Sequence, residues 1–402
     1  NRVMNRIRRL LVSLNNRRIR RLLRNKIRKI RKGITATITD APEPGTELRE
    51  KHIQLWKGLA RKVNTDWLEV YTAVLGRPDF RYVPENIYYT EIEPRLNNKL
   101  FSKAWTDKNS YELFLGAGVK RPEVVLRCIN GVLYTPDFLP AGRPEEFPGF
   151  PPDFNDRKLV IKPTMDSGGG KAVRIMRPKG PEPVSGMNDP IPGLKAVDKG
   201  VEIDPPVNGV TTLRELFALY GGNFIIQKHI SQHPWFARFN ESSLNTIRVL
   251  TYRSIKDEKV HVLHRLLRAG RPGSVVDNQA SGGIACGVDD TGRLMPFAID
   301  KAGKHHSGTQ SLIFSEGGDV PFMDEITAAA KQVAACYRYS RLLGLDFAVD
   351  INGEVVLIEV NDSNNEINFF QMSSGPLFGP FTEEVAEACK SLPRSFVIDY
   401  II

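Results

Sequence analysis

Apolar residues recur at three- and four-residue steps from Ile7 through Leu10, Leu11, Leu14, Ile19, Leu22, Leu23, Ile27, Ile30 and Ile34, the spacing of one long amphipathic helix. No glycine or proline interrupts this run before Gly33, and Gly33 to Thr46 then reads as a polar, proline-bearing linker. Helical spacing returns over Lys51–Val63 and Trp67–Leu75, after which the chain is proline-rich and aromatic to residue 96. That stretch is too short for an independent α/β domain and is expected to pack as a cap. The pattern predicts a helix over Lys99–Leu115, with Asp107 and Lys108 inside it or at a break. Thr211 or Thr212, with Glu215 placed for a capping box, opens a helix over Leu213–Tyr220. Leu244–Arg253 and Val260–Arg268 read as paired strands, and Asp324–Leu343 and Thr382–Ser391 as helices. Residues 178–198 hold too much Pro and Gly for a strand. No internal repeat is visible.

The most informative alternation lies in Gly344–Asn361. Asp346 to Asp350 runs toward Asn352-Gly353, read as a two-residue turn, and Glu354 to Val360 returns as an apolar strand. Period-two geometry puts Asp346 and Asp350 on one face of the first strand, and Glu359 and Asn361 on one face of the second. Carboxylates among that much Val, Ile and Leu are costly to bury without a cation, and hard oxygen donors with a carboxamide suit Mg²⁺. A surface hairpin with its acids in water is the plainer alternative.

A second element favours the metal reading. Lys158–Met176 is strand, glycine loop, strand, with Lys162 inside the apolar strand and Ser167, Gly168, Gly169 and Gly170 forming a loop whose N–H groups can approach a phosphate. No helical pattern follows the glycines, so this is neither a Walker A loop nor a dinucleotide fingerprint. A Gly-Gly-Gly tip by itself is a turn. With Lys162 before it and an acidic hairpin after it, phosphate binding is the better reading.

In this order the motifs resemble the ATP-grasp superfamily, specifically the sugar-transfer-associated ATP-grasp family found among polysaccharide biosynthesis genes, over about Asn97 to Gly375. Asp107-Lys108 with Gly116–Val119 is similar to the start of the family's nucleotide region, and Lys162 to its second phosphate lysine. Ser167–Lys171 resembles the glycine-rich lid, and Phe224–Ile230 the strand whose backbone holds adenine. The resemblance implies that Lys108, Lys162, Ser167, Gly168, Gly169, Gly170, Gln227, Lys228, His229, Ile230 and Asn278 bind ATP. It implies that Asp346, Glu359 and Asn361 bind Mg²⁺, with Asp350 in a less certain place, and that Arg248 of Ser243–Val249 faces the transferred phosphate. Val276–Gly283 is similar to a substrate-side loop. Gln227 departs from the acid many relatives carry near the hinge.

The implied fold is α+β, two α/β subdomains clasping ATP: residues 97–230 with the lid, and residues 231–402 with the metal site. A basic helix (1–33) and a linker with a helical cap (34–96) precede them. The implied reaction is carboxylate–amine ligation through an acyl phosphate, modifying a cell-surface polysaccharide or its precursor, with Arg248, Lys162 and Arg268 as catalytic groups. A kinase phosphorylating a sugar or polyol hydroxyl, and a non-catalytic membrane-associated scaffold, are the alternatives. Arg265 and Arg268 could bind an acidic substrate or be ordinary strand residues. His305-His306 reads as a surface loop, His229 and His233 as hinge-side structure, and Trp235 and Phe236 as packing.

Charge sharpens one part of this picture. The net charge of +10 comes from residues 1–33, which hold 14 Lys and Arg and no acid; the other 369 residues carry 42 basic and 46 acidic side chains. A basic helix with a Leu/Ile face and no aromatics suits an anionic membrane surface. Packing on the protein or a second subunit is the next reading, and no specific nucleic-acid partner is expected. Cys128, Cys286, Cys336 and Cys389 lack metal-ligand spacing and read as free thiols in a reducing compartment. No apolar run reaches 18 residues and no secretory signal is read. The expected location is cytoplasmic, peripheral to the inner face of the cell membrane.

Overall fold

The computed structural model describes residues 2–37, 41–60, 62–116, 118–165, 172–179, 200–270, 273, 282–309 and 311–395. The N-terminal part is helical: α1 (Arg2–Thr37), α2 (Thr46–Trp56), α3 (Asp66–Leu75), α4 (Glu85–Ile87), a π-helical turn (Tyr88–Ile92) and α5 (Glu93–Leu96). Gly76 ends α3 in the left-handed conformation, φ 72°, returning its N–H to Thr72 O. α1 extends past the expected helix end at residue 33.

The predicted helix over Lys99–Leu115 is instead α6 (Ser102–Thr106), a 3₁₀ turn (Lys108–Ser110) and α7 (Tyr111–Phe114). Asp107 breaks it, because its carboxylate accepts from Asn109 N at 2.9 Å and so starts a new turn.

Six strands then form the first sheet: β1 (Val124–Ile129), β2 (Val132–Tyr134), β3 (Leu159–Pro163), β4 (Arg174–Pro178), β5 (Val201–Asp204) and, after α8 (Leu213–Ala218), β6 (Phe224–Lys228). Their order is β2-β1-β6-β3-β4-β5. Thr212 and Glu215 close the predicted capping box on α8. After α9 (Pro234–Ala237), the second sheet takes β7 (Thr246–Arg253), β8 (Val260–Ala269), β9 (Ile284–Val288), β10 (Leu294–Ile299) and β11 (His305–His306). It is completed after α10 (Met323–Cys336) by β12 (Leu342–Val349) and β13 (Val355–Asn361), in the order β11-β10-β9-β8-β7-β12-β13. α11 (Ile367–Ser373) and α12 (Thr382–Ser391) follow.

The predicted helix over Asp324–Leu343 stops at Cys336, and Leu342 opens β12. All eight residues of β12 are buried, and such a continuous apolar run carries no helix-versus-strand signal of its own. The hairpin turn also differs from expectation. Asp350 N donates to Glu354 O and Gly353 N to Asp350 O, and among the loop residues Gly353 alone has positive φ, 83°. The connection is therefore a three-residue loop with a left-handed glycine, not a two-residue turn with both centres at positive φ.

Alternation gives the second sheet two cores. Ile247, Val249, Leu343, Leu345 and Phe347 face α10 together with Ile326, Ala330 and Val333. Leu250, Tyr252, Leu266 and Leu342 face the N-terminal helices and α11–α12, meeting Trp56, Tyr71, Phe370 and Phe378. A separate core fills the first sheet against α8. All four cysteines are free thiols, and Cys128, Cys286 and Cys389 are buried. Among the described residues no helix is long and apolar enough to cross a membrane.

α1 joins the capping layer through its second half. Ile27, Ile30 and Ile34 are buried, Lys26 Nζ donates to the fully buried Glu85 at 2.5 Å, and Arg31 pairs with Asp66 at 3.0 Å and with Glu69. Packing on the protein, the alternative to membrane contact, holds for this half of the helix.

Asn97 fastens the cap to β12. Its carboxamide donates to Leu342 O (2.7 Å) and Asp362 O (2.6 Å) and accepts from Arg341 N (2.9 Å) and Leu342 N (3.0 Å). Truncation removes the side-chain partner of Leu342 N, Leu342 O and Asp362 O, while Arg341 N keeps Leu96 O at 3.1 Å; a buried group left unsatisfied costs about 1–3 kcal/mol. Asn97→Ala should lower unfolding free energy by about 3 kcal/mol or more; a denaturant-midpoint shift equivalent to under about 1 kcal/mol would show that water replaces the side chain.

Candidate active site

Strand pairing builds the centre of the site. Arg248 on β7 is the Cα partner of Asp346 on β12, which is the partner of Glu359 on β13. Directly opposed residues of antiparallel strands project from one face, here the face that carries Leu342 and Leu250 toward the cap. Register shifts by one residue between the Asp346–Glu359 and Phe347–Leu357 pairs, so Ile358 is unpaired in a bulge. Arg248 donates Nε and Nη2 to the two Asp346 oxygens at 2.7 and 2.6 Å, and Arg268 Nη1 reaches Oδ2 at 3.1 Å.

The first sheet supplies two lysines. Lys108 N donates to Thr164 O at 3.1 Å, two residues beyond Lys162, which lays the turn of Lys108 beside the end of β3. From there Lys108 Nζ donates to Glu359 Oε1 at 2.7 Å. Lys162 is buried, feels the Lys108 charge, and forms no ion pair among the described residues. Burial, with Lys108 adding repulsion, pushes its ammonium down from 10.5 to about 7.

The carboxylates show the opposite balance. Burial by itself would raise Asp346, but Arg248 and Arg268 hold it below the usual aspartate range. Burial likewise opposes Glu359, and Lys108 brings it below normal while Asp346 works against the shift. Three cations, Lys108, Arg248 and Arg268, thus surround two anions, with the Lys162 amine beside them. Glu366 adds a third carboxylate whose charge reaches Arg248. The three carboxylates balance the three permanent cations, and a proton on Lys162 would tip the centre positive.

Glu366 was not singled out by sequence reasoning. It precedes α11 in the left-handed region, φ 48°, as does Asn364, φ 56°. The signal available was its place in the polar run Asn361–Glu366 directly after the Glu-x-Asn segment.

Asp346, Glu359 and Asn361 offer hard oxygen donors on two adjacent strands, and the buried Asn361 Nδ2 has no partner among the described residues. The described residues contain no ready-made cluster of three acidic, His or Cys side chains for a metal. Mg²⁺ asks for less than that, one or two carboxylates with waters and substrate phosphate completing its shell, so the donor set fits it. Asp350 is elsewhere: its carboxylate accepts from Asn352 N and Glu354 N, both at 2.9 Å, and shapes the turn.

The hinge residues lie at the end of β6. Gln227 Nε2 donates to Pro122 O at 3.4 Å, Lys228 pairs with Glu123 at 2.6 Å, and His229 N donates to Lys158 O at 3.3 Å. Ile230 follows, half-buried. Burial, with Lys158 and Arg177 nearby, lowers the His229 imidazole. Ser167, Gly168, Gly169, Gly170 and Asn278 lie outside the described residues.

Other candidates separate. Arg268 joins Asp346, whereas Arg265 pairs with fully exposed Asp290. His305 stacks on Phe297 and bonds Val74 O at 2.7 Å, and His306 pairs with Asp300. Both histidines therefore hold structure, His305 between sheet and cap. His233 accepts from Trp235 N, and Phe236 is buried.

The sequence profile described as sugar-transfer associated ATP-grasp matches residues 88–386, and the chain belongs to that family. Its architecture is the ATP-grasp fold. No curated protein sequence matches it. Among solved structures, the chain is similar to the ATP-grasp ligase PsnB complexed with a phosphomimetic variant of its minimal precursor, Mg and ADP, at 13% identity and a TM-score of 0.36, covering 73% of this chain and 62% of that one. It is similar to biotin carboxylase from Campylobacter jejuni at 12% identity and a TM-score of 0.39, covering 76% and 50%. N5-carboxyaminoimidazole synthetase from Staphylococcus aureus follows at 10% identity and a TM-score of 0.31, covering 76% and 54%. The chain covers less than two thirds of each of these structures.

Lys162 gives a pH test. Between pH about 7 and 10.5 the unfolded chain holds a proton that the native lysine has lost, so this group's contribution to stability rises with pH across that window. An anionic ligand reverses the shift, and ATP binding at about pH 8 should take up close to one proton. Affinity should accordingly weaken as pH rises above about 7. Calorimetry in buffers of different ionisation enthalpy reads the uptake. Lys162→Met should remove it and weaken binding, while exposed Lys256→Met should do neither; unchanged uptake in Lys162→Met assigns the proton elsewhere.

Proposed function

We propose that this chain is an ATP- and Mg²⁺-dependent carboxylate–amine ligase acting on a cell-surface polysaccharide or its precursor at the inner face of the membrane. The observation that carries the reading is Lys162, a buried lysine with no ion-pair partner among the described residues, set beside Lys108 and the Asp346–Glu359 pair. Such a centre favours a polyanion that spreads charge over several oxygens.

In this reading Lys108 and Lys162 receive the phosphate chain of ATP, and the end of β6 receives adenine. Asp346, Glu359 and Asn361 would hold Mg²⁺, which would supply positive charge to offset that of the phosphates. A substrate carboxylate oxygen attacks the γ-phosphorus and ADP leaves, giving an acyl phosphate. The amine nitrogen then attacks the carbonyl carbon, phosphate departs with the bonding electrons, and the nitrogen loses a proton. Arg248, unable to deprotonate and held in place by Asp346, stabilises the transferring phosphoryl group. Arg268 fixes the same carboxylate and faces the acidic substrate. Glu366, within the field of Arg248, lies where an incoming ammonium would be attracted.

Glu359→Gln should abolish ATP turnover, at least a hundredfold, in a protein that still folds, with stability lowered because buried Lys108 loses its counterion. Hydroxylamine added to the wild type with a uronic-acid oligosaccharide should trap the acyl phosphate as a hydroxamate. Formation of a stable phosphoester in its place identifies a kinase, and wild-type turnover by Glu359→Gln removes the hairpin from the site.

A further inference from the structure

α1 carries apolar side chains on opposite sides. Val12, Ile19 and Leu23 are half-buried, and the same stripe continues into the buried Ile27, Ile30 and Ile34. Ile7, Leu10, Leu14 and Leu22 belong elsewhere on the helix and are 44, 60, 50 and 58% exposed. At about 100° per residue these four fall within an arc of about 120°, centred across the axis from Ile27, Ile30 and Ile34. Exposed Arg18, Arg21, Arg28 and Lys29 share that arc, and residues 1–33 contain no acid.

We propose that this outer face of α1 docks on an anionic lipid surface while the inner face stays fixed to the protein. The helix would then be a strut that sets how the enzyme stands on the membrane, not a tether that lets it drift. This takes from the proposed function only the membrane location of the substrate.

Charge and composition select this partner over others. A second copy would bring the same uncompensated positive charge to the contact. Nucleic acid would satisfy the arginines but leave the Ile/Leu strip unused, and the helix has no aromatic side chain to stack on a base. An interface of anionic headgroups over acyl chains accepts both, with long basic side chains reaching up to phosphate as the leucines sink. On the opposite side, the Lys26–Glu85 and Arg31–Asp66 pairs and the three buried isoleucines hold the helix in place.

The test is sedimentation of full-length protein with vesicles of phosphatidylcholine containing about one quarter phosphatidylglycerol, at physiological salt and without nucleotide, so that it can fail independently of the ligase reading. The wild type should sediment with these vesicles and not with pure phosphatidylcholine, and high salt should weaken but not abolish binding. Replacing Leu10, Leu14 and Leu22 together with Gln should cut binding at least tenfold and leave the thermal midpoint unchanged. Ile27→Gln with Ile30→Gln should lower the midpoint. Indifference of the wild type to phosphatidylglycerol overturns the proposal, as does undiminished vesicle binding by the triple variant. A wild-type dimer that the triple variant dissociates assigns the face to a second copy. Nucleic-acid binding tighter than vesicle binding assigns it to that polyanion.

Discussion

The site depends on one electrostatic constraint: a lysine from the turn beside the first sheet and two arginines of the second converge on two carboxylates of a single strand pair. Lys108 reaches Glu359 from the side of the first sheet, while Arg248 and Arg268 grip Asp346 within the second. The row exists because β7, β12 and β13 pair in the register that sets Arg248, Asp346 and Glu359 abreast. A one-residue slip would send the charges into the Leu343–Phe347 core against α10. Fold and site are thus the same requirement seen at two scales.

Much of this was legible in the chain because the costly residues stand out. A lysine inside Leu159–Pro163 and acids inside Leu342–Asn361 break the apolar pattern where nothing structural calls for it, and sequence reading could place them on strands. The turn beyond them was misjudged because Asn352-Gly353 has the composition of a two-residue turn, whereas the Asp350 carboxylate takes two backbone N–H groups and lengthens the loop. The break at Asp107 and the early end of α10 depend on contacts from distant segments, Thr164 and Asn97 among them. Arg265 and Arg268 looked equivalent in sequence and were parted by the alternation of β8. Glu366 escaped notice because it lies in an irregular turn with no periodicity to mark it.

The N-terminal layer changes how the molecule should be divided. The charge asymmetry suggested an appendage, yet Glu85, buried without exposure, owes its charge compensation to Lys26 of α1. Burial raises the Glu85 carboxyl against the pull of Lys26. Asn368 on α11 bonds Tyr71 of α3 at 2.6 Å, and α11 begins one residue after Glu366. The cap is therefore joined by buried polar groups to the helix that follows the charged row.

The pairs at Asp346 and Glu359 also bear on how a turnover would end. Both carboxylates have partners within the chain, so their charge is neutralised by neighbouring side chains. Under the proposed ligase reading, a metal held by Glu359 and Asp346 would compete with Lys108 and the arginines for these carboxylates, and the cations so freed would be available to the phosphate oxygens. In that reading the same lysine and arginines would reclaim the carboxylates when the products depart. The protein carries its own counterions for the interval between substrates, and their return would drive the release step.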